Sequence, residues 1–177
     1  MASLISHPAV PLAVAVALGS GRVPPALTVA ACVVSVLPDL DVLGFKAGIP
    51  YEHLLGHRGF MHSLCFALLA AAVGTRFARS LGSSPGLTFA VLFVSIASHG
   101  VLDALTTGGL GVAFLSPFSN RRYFLPWRVL AVSPIGVRAF LSSWGLGVLR
   151  SELMWVWVPC AAVAAIGVAL RRILMTA

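Results

Sequence analysis

The stretch from Ser80 to Leu102 contains no Asp, Glu, Lys or Arg, and this feature most restricts what the chain can form. A membrane-spanning helix needs about 17–25 largely apolar residues. Hydrophobic residues make up 59% of the chain and charged residues only 10%, and the mean hydropathy is +0.98. Soluble domains usually contain about a quarter charged residues. The sequence therefore predicts an all-α, polytopic helical bundle embedded in a membrane.

About five apolar runs are predicted to cross the membrane. They are Ser3–Leu18, Pro25–Leu37, Met61–Ala78, Gly86–Leu105 and Leu153–Leu170. Within Ile135–Leu149 apolar residues recur at helical spacing, which indicates an interfacial or re-entrant helix. Residues 1–177 are predicted to form one domain, with ligand motifs in 1–125 and interfacial and anchoring helices in 126–177.

The net charge of +7 comes from 12 basic and five acidic residues. The basic residues stand at the ends of apolar runs, where long cationic side chains anchor at lipid headgroups. They form no basic stripe on a soluble face, so no nucleic-acid partner is expected. Cys32, Cys65 and Cys160 lie inside apolar runs without paired spacing and are predicted to be packing residues.

If the predicted helices alternate in direction, every acidic residue and every histidine falls on the side of the membrane where the chain starts. On the other side the charged residues are Arg22, Arg76, Arg79, Arg171 and Arg172. Ionisable groups near hydrocarbon cost several kcal/mol unless they are paired or hydrated, and they usually mark function. Simple solvation at the interface would not predict five histidines beside four acidic residues.

Two histidine motifs lie on this side. His99 and Asp103 are four residues apart and share a helix face, although a single pair of this kind is more often a structural hydrogen bond. His57 and His62 frame Gly-His-Arg-Gly-Phe-Met-His-Ser. Glycines beside His57 would allow it to sit on a tight entering loop, with His62 in the first helical turn.

Asp39 and Asp41 stand two residues apart in Pro-Asp-Leu-Asp. In an extended segment they would point the same way and repel each other unless a cation lay between them. The alternative is a turn at a helix end, in which Asp41 caps the following segment. His7, near the start of the first helix, lies at the same depth.

Together these motifs predict a metal site whose ligands are His7, Asp39, Asp41, His57, His62, His99 and Asp103. A mixture of imidazole and carboxylate ligands suits Zn²⁺, with Mn²⁺ or Fe²⁺ as alternatives. Seven ligands exceed the four that one zinc ion takes, so two or three ions are expected. Ions in such sites orient a phosphoryl group and activate water.

The motifs resemble those of the YdjM-type bacterial inner-membrane proteins, a family whose name is that of metal-dependent hydrolases. The matching segments are His7, residues 38–41, 56–63, 99–107, 116–119 and 121–123. They lie in about the first 125 residues. The resemblance implies a multi-pass protein of the bacterial inner membrane with hydrolase activity. Many members carry His after the second aspartate, whereas this chain has Val42.

These observations predict a membrane hydrolase that cleaves a lipid-linked or amphiphilic ester, most simply a phosphoester. Glu52, or an unligated Asp39, is the predicted general base. Arg58, Arg121 and Arg122 are predicted to clamp a phosphate through forked hydrogen bonds.

Two other functions use the same ligands. One is a metal transporter or sensor, and the other is a membrane binding protein with a structural metal site. Seven of the basic residues lie on the site's side and five on the other, so the positive-inside rule places the site in the cytoplasm.

Overall fold

The computed structural model describes residues 1–176, in which all the regular structure is helical. The α-helices are α1 (Ala9–Leu18), α2 (Pro25–Ser35), α3 (Leu43–Lys46), α4 (Leu64–Gly74), α5 (Pro85–Ala104), α6 (Val137–Phe140), α7 (Ser143–Glu152) and α8 (Val158–Thr176). Leu37–Val42, Phe60–His62 and Thr75–Phe77 form short 3₁₀-helices. A π-helical segment, Leu153–Trp157, joins α7 to α8. The prediction of an all-α membrane protein is thus confirmed at the level of fold class.

Local signals explain where the helices of the bundle begin. Pro25 and Pro85 open α2 and α5, where the missing backbone N–H costs nothing. The Ser63 and Ser84 hydroxyls cap α4 and α5 by accepting hydrogen bonds from backbone N–H groups three residues later. The Ser63 cap fixes the point at which the chain leaves the His62 turn and enters the bundle.

Within the described residues 1–176, three helical segments, not five, are long and apolar enough to cross a membrane: Pro25–Lys46, Pro85–Ala104 and Ser143–Thr176. The predicted first and third spans are shorter than expected, at Ala9–Leu18 and Leu64–Phe77. A ten-residue helix such as α1 rises about 15 Å, half of the roughly 30 Å hydrocarbon core. Both helices are shorter than predicted because the residues just before Ala9 and Leu64, which include His7 and His62, do not continue the α-helix.

The predicted interfacial helix over residues 135–149 is divided in two. Its first part is the short α6, and its second part, α7, continues through the π-helical segment into α8. The second half of the amphipathic stripe and the predicted last span thus form one helical run of 34 residues, Ser143–Thr176. The periodicity indicated helix in this region, but it missed both the break after α6 and the continuity of α7 with α8.

The bundle packs around α5, which contacts α1, α2 and α4, while α1 also packs along α8. The interface between α2, α4 and α5 is built from small and medium apolar side chains, including Leu27, Ala31, Ala71 and Val91. None of the residues of α8 is buried, and its large apolar side chains are exposed. A surface this apolar suits lipid rather than water.

Candidate metal centre

The predicted ligands meet at one end of the bundle, where α2 and α5 end and α1 and α4 begin. His7 precedes α1, Asp39 and Asp41 lie in the 3₁₀-helix after α2, His62 precedes α4, and the last two turns of α5 carry His99 and Asp103. All seven predicted ligands are buried: His7, Asp39, Asp41, His57, His62, His99 and Asp103. The segregation seen in the sequence thus corresponds to one cluster of side chains.

Four of these residues surround a common point: Asp39, His62, His99 and Asp103. The Nε2 atoms of His62 and His99 are 3.0 Å apart. Asp39 Oδ1 lies 3.4 Å from His99 Nε2 and 3.7 Å from His62 Nε2, and Asp103 Oδ2 lies 3.4 Å from His62 Nε2. Ligands bound to zinc at about 2.1 Å in a tetrahedron are separated by about 3.4 Å. The spacing therefore fits one ion among the four.

Hydrogen bonds to the other ring nitrogens determine which atoms face that point. His99 Nδ1 lies 2.8 Å from the Ser35 carbonyl oxygen, which only accepts, so this nitrogen carries a proton. His62 Nδ1 lies 3.1 Å from Asp41 Oδ2 in an ion pair. Where both rings are neutral with the proton on Nδ1, the two Nε2 atoms present lone pairs to each other, and a cation between them would relieve the repulsion.

Several polar atoms around the point have no hydrogen-bond partner. Within residues 1–176 they are both nitrogens of His7, both carboxylate oxygens of Asp39, His62 Nδ1, and the two atoms that form the Arg58–Asp103 ion pair, Arg58 Nε and Asp103 Oδ2. A buried polar group without a partner costs about 1–3 kcal/mol, and a charged group more. Bonds to metal ions would satisfy His7 Nε2 and the carboxylate oxygens of Asp39 and Asp103, so these donors fit a metal centre.

A second group of possible ligands shares two residues with the first: Asp39, Asp41, His57 and His62. Here Asp41 is already engaged, because its Oδ1 lies 2.7 Å from His57 Nδ1 and its Oδ2 accepts from the Arg58 backbone N–H at 3.0 Å. Of the two histidine motifs, His62, His99 and Asp103 thus lie around the common point. His57 lies outside this group, beside Asp41.

The pKa values of His57 and His62 shift in opposite directions. Burial lowers the pKa of His57, and the adjacent Asp41 only partly offsets this effect. Burial also acts to lower the pKa of His62, but hydrogen bonds to Asp103, Asp39 and Asp41 outweigh it and raise that pKa well above its usual value. The carboxylates therefore favour a positive charge at His62, which a bound metal ion would supply in place of the proton.

The sequence predicted that Arg58 would clamp a phosphate. In the structure its guanidinium is instead occupied by contacts within the protein. Its side chain is fully buried, with Nε 3.0 Å from Asp103 Oδ2. Its two Nη atoms donate to the Gly108 carbonyl and the Thr106 hydroxyl, each at 2.9 Å. Its φ of 60° is rare for a residue with a side chain. These contacts hold Arg58 as an internal support for Asp103.

The other predicted catalytic residues lie outside the buried cluster. Arg122 donates to the carbonyls of His57 and Tyr51, both at 2.8 Å, so it fixes the His57 loop. Arg121 is exposed beside the Tyr123 ring. Glu52 is exposed and belongs to neither group of possible ligands. The geometry brings the predicted metal ligands together but does not bring these three residues to them.

Gly100 lets the His62 turn pack directly on α5. A Cβ atom at this position would stand 2.9 Å from the His62 carbonyl oxygen and 3.2 Å from the Phe114 ring. Gly56 is similarly enclosed by the carbonyls of Pro50 and Tyr51. The short contacts between His62 and His99 therefore depend on small residues in the motifs.

Sequence reasoning did not identify the role of Glu152. This carboxylate is fully buried and accepts hydrogen bonds from the Ser3 backbone N–H and from the hydroxyls of Ser3 and Ser6. Ala2 N also donates to Asp103 Oδ1 at 2.6 Å. These contacts hold residues 2–6 and thereby place His7, whose ring stacks on His99 at 3.6 Å between centroids. Its place at the start of the last apolar run was the only signal in the sequence.

Comparisons with known proteins agree with the motifs. The chain is 46% identical over 165 residues to the inner membrane protein YbcI of Escherichia coli (strain K12), which covers 90% of this chain and 92% of that protein. No solved structure matches the chain. The sequence pattern of the YdjM inner membrane protein family matches residues 1–174. The expected resemblance and inner-membrane location are confirmed, and the chain belongs to the YdjM inner membrane protein family.

Proposed function

We propose that this protein is a membrane-embedded, metal-dependent hydrolase that acts on an amphiphilic or lipid-linked phosphoester. The observation that carries the proposal is the pair of facing Nε2 atoms of His62 and His99, 3.0 Å apart between two carboxylates. Their other nitrogens are held by the Ser35 carbonyl and by Asp41. Such an arrangement supports a cation site built from histidine and carboxylate ligands, and Zn²⁺ is the ion we propose.

In this proposal Asp39, His62, His99 and Asp103 hold the first ion. A second ion is supported by His7, whose Nε2 lies 3.8 Å from Asp39 Oδ2 and 3.9 Å from Asp103 Oδ1. Each carboxylate would then serve two ions through its two oxygens. Asp41 orients His62 from behind and is itself held by His57, as outer partners of metal-binding histidines commonly are.

The ions would supply Lewis acidity and a water of lowered pKa as the nucleophile. The surrounding residues position these groups. Arg58 offsets the charge of Asp103, and Asp41 lies against His62 Nδ1. With only the first ion bound, the second Asp39 oxygen would be unligated and better placed as general base than Glu52, which is exposed.

The same ligands are compatible with a metal transporter or sensor. A transporter places polar sites near the middle of the membrane on several helices. Here the ligand atoms lie at the ends of α2 and α5 and the beginnings of α1 and α4, which favours a site opening at one membrane face. A purely structural zinc site would need four ligands and would leave His7 without a role.

We also infer that α1 and Leu64–Phe77 lie in the membrane beside the three longer segments.

The proposal is tested by measuring bound metal and hydrolysis on the same purified variants. Both His99→Ala and Asp103→Ala are expected to lose bound zinc in elemental analysis and to stop releasing phosphate from a short-chain phosphatidic acid. Cys65→Ala, on α4 outside both groups of possible ligands, serves as the control and keeps both properties. Unchanged zinc in both ligand variants would contradict the metal centre. Full zinc without hydrolysis of phosphoesters in the unmodified protein would contradict the enzyme and leave the transporter or structural site.

A further inference from the structure

An apolar cavity of about 320 Å³ lies beside the metal centre. The N-terminal segment, the residue after Asp41 and the segment around α6 line it, and it opens to the outside of the protein. Its main apolar side chains are Leu4, Ile5, Val42, Ile135, Val137 and Phe140. The mechanism proposed above makes no use of this cavity.

The cavity and the metal centre share their walls. Val42 lines the cavity and directly follows Asp41, which holds His62. Met1 and Ser3 line it as well, and Ala2 between them donates to Asp103 Oδ1. Val42 therefore links the cavity to Asp41, and Ala2 links it to Asp103.

Water is a poor occupant of this space. Among the side chains that line it, only Ser3 and Ser133 carry hydroxyls. The Ser3 hydroxyl donates to Glu152, and the Ser133 hydroxyl donates to the Pro134 carbonyl. A buried water needs two to four polar partners, and at about 30 Å³ per molecule some ten waters would have to find them here. The side chains instead suit hydrocarbon.

The rim of the cavity is also apolar and exposed. Leu4 and Ile5 are 54% and 52% exposed, and Ile135 and Val137 are 56% and 76% exposed. In an inner-membrane protein such side chains are covered by lipid. The cavity is therefore continuous with the region that acyl chains already occupy.

We propose that this cavity binds a hydrocarbon chain of a membrane phosphoester lipid, and that it thereby holds the headgroup ester at the metal centre. The binding of the chain stands on the cavity alone, whereas its role in presenting a substrate rests on the function proposed above. The cavity would select substrates by their chain and leave the chemistry to the buried ligands.

The test uses the full chain in vesicles of phosphatidylethanolamine that contain a trace of the same lipid with a diazirine on its acyl chain. After illumination, peptide mass spectrometry measures labelling of residues 1–5 and 133–140 relative to α8. The variants Ile135→Trp and Val137→Trp fill the cavity. Ile166→Trp is the matched control, because Ile166 is an exposed residue of α8 outside the cavity.

We expect labelling of the cavity segments to fall roughly tenfold in the filling variants, which corresponds to about 1.4 kcal/mol. The control should keep it, and zinc content should stay unchanged in all three variants. Equal labelling in the filled and control proteins would overturn the proposal.

Hydrolysis of long-chain and short-chain phosphoesters by the same variants separates the two proposals. Selective loss of the long-chain activity supports the role of the cavity in substrate binding. If the unmodified protein hydrolyses neither substrate, and the cavity-filling variants still lose labelling, the result supports chain binding and contradicts the hydrolase.

Discussion

Asp41 illustrates how a residue predicted as a metal ligand acquires a different role from its neighbours. Its carboxylate faces His57 Nδ1 at 2.7 Å, the Arg58 backbone N–H at 3.0 Å and His62 Nδ1 at 3.1 Å. These contacts use both oxygens, whereas both oxygens of Asp39 have no hydrogen-bond partner. The two aspartates of one tetrapeptide therefore divide the work: Asp39 is available for an ion, and Asp41 orients an imidazole.

This division predicts different effects for two similar substitutions. Asp41→Asn is expected to weaken zinc affinity roughly 10–100-fold, because an amide no longer fixes His62 through a charged acceptor. Asp39→Asn is expected to abolish tight binding, since it removes a direct ligand. Competition with a zinc chelator measures both affinities. Equal losses in the two variants would assign Asp41 to the ligands as well.

Among the larger elements, the segment of residues 2–6 has a role that its sequence does not suggest. It was predicted to be the first turns of a membrane helix, yet α1 begins only at Ala9. The Ser3 and Ser6 hydroxyls bond to Glu152 at 2.6 and 2.8 Å. The first and last thirds of the chain are thus clasped together, and His7 is held against His99 as a consequence.

The clasp predicts that Glu152→Gln destabilises the protein by about 1–3 kcal/mol, because one buried donor loses its acceptor. Thermal unfolding in detergent and limited proteolysis of the N-terminal segment measure the effect. Glu52→Gln is the matched control, since Glu52 is exposed, and it should unfold like the unmodified protein. A Glu152→Gln protein with an unchanged melting temperature and a protected N-terminal segment would show that the clasp contributes nothing.

At the scale of the whole molecule, some basic residues make contacts inside the protein, so not every basic residue reports the orientation of the chain in the membrane. Seven basic residues were assigned to the side of the site: Lys46, Arg58, Arg121, Arg122, Arg128, Arg138 and Arg150. Arg58 is fully buried in the cluster and Arg122 binds backbone carbonyls. On the other side, Arg171 likewise donates to a backbone carbonyl, that of Val16. Five basic residues without such contacts are then left on the side of the site and four on the other, so the positive-inside rule still favours the predicted cytoplasmic site by the same narrow margin.

We predict that a cysteine placed at the exposed Ala47, in a protein lacking Cys32, Cys65 and Cys160, stays unlabelled when an impermeant maleimide is added to intact cells. Permeabilised cells should give full labelling and serve as the control. Strong labelling of intact cells would place the site at the outer face, where the substrate would be an exported lipid or envelope precursor.

Periodicity, hydropathy and spacing determined the helical class, the membrane location and which histidines and aspartates gather in the buried cluster. These properties depend on local sequence, because an apolar run must be helical in lipid and a polar group beside it must have a partner. The same reasoning placed His99 and Asp103 on one face of α5, where the structure has them.

Only the tertiary structure decided the length of the membrane segments and the division of labour within the site. Whether Arg58 clamps a substrate or supports Asp103 depends on Thr106 and Gly108, which lie 48 and 50 residues away in the chain. The role of Glu152 depends on Ser3, at a separation of 149 residues. Contacts between distant segments have no local periodicity, so spacing alone could not distinguish a buried supporting charge from a catalytic one.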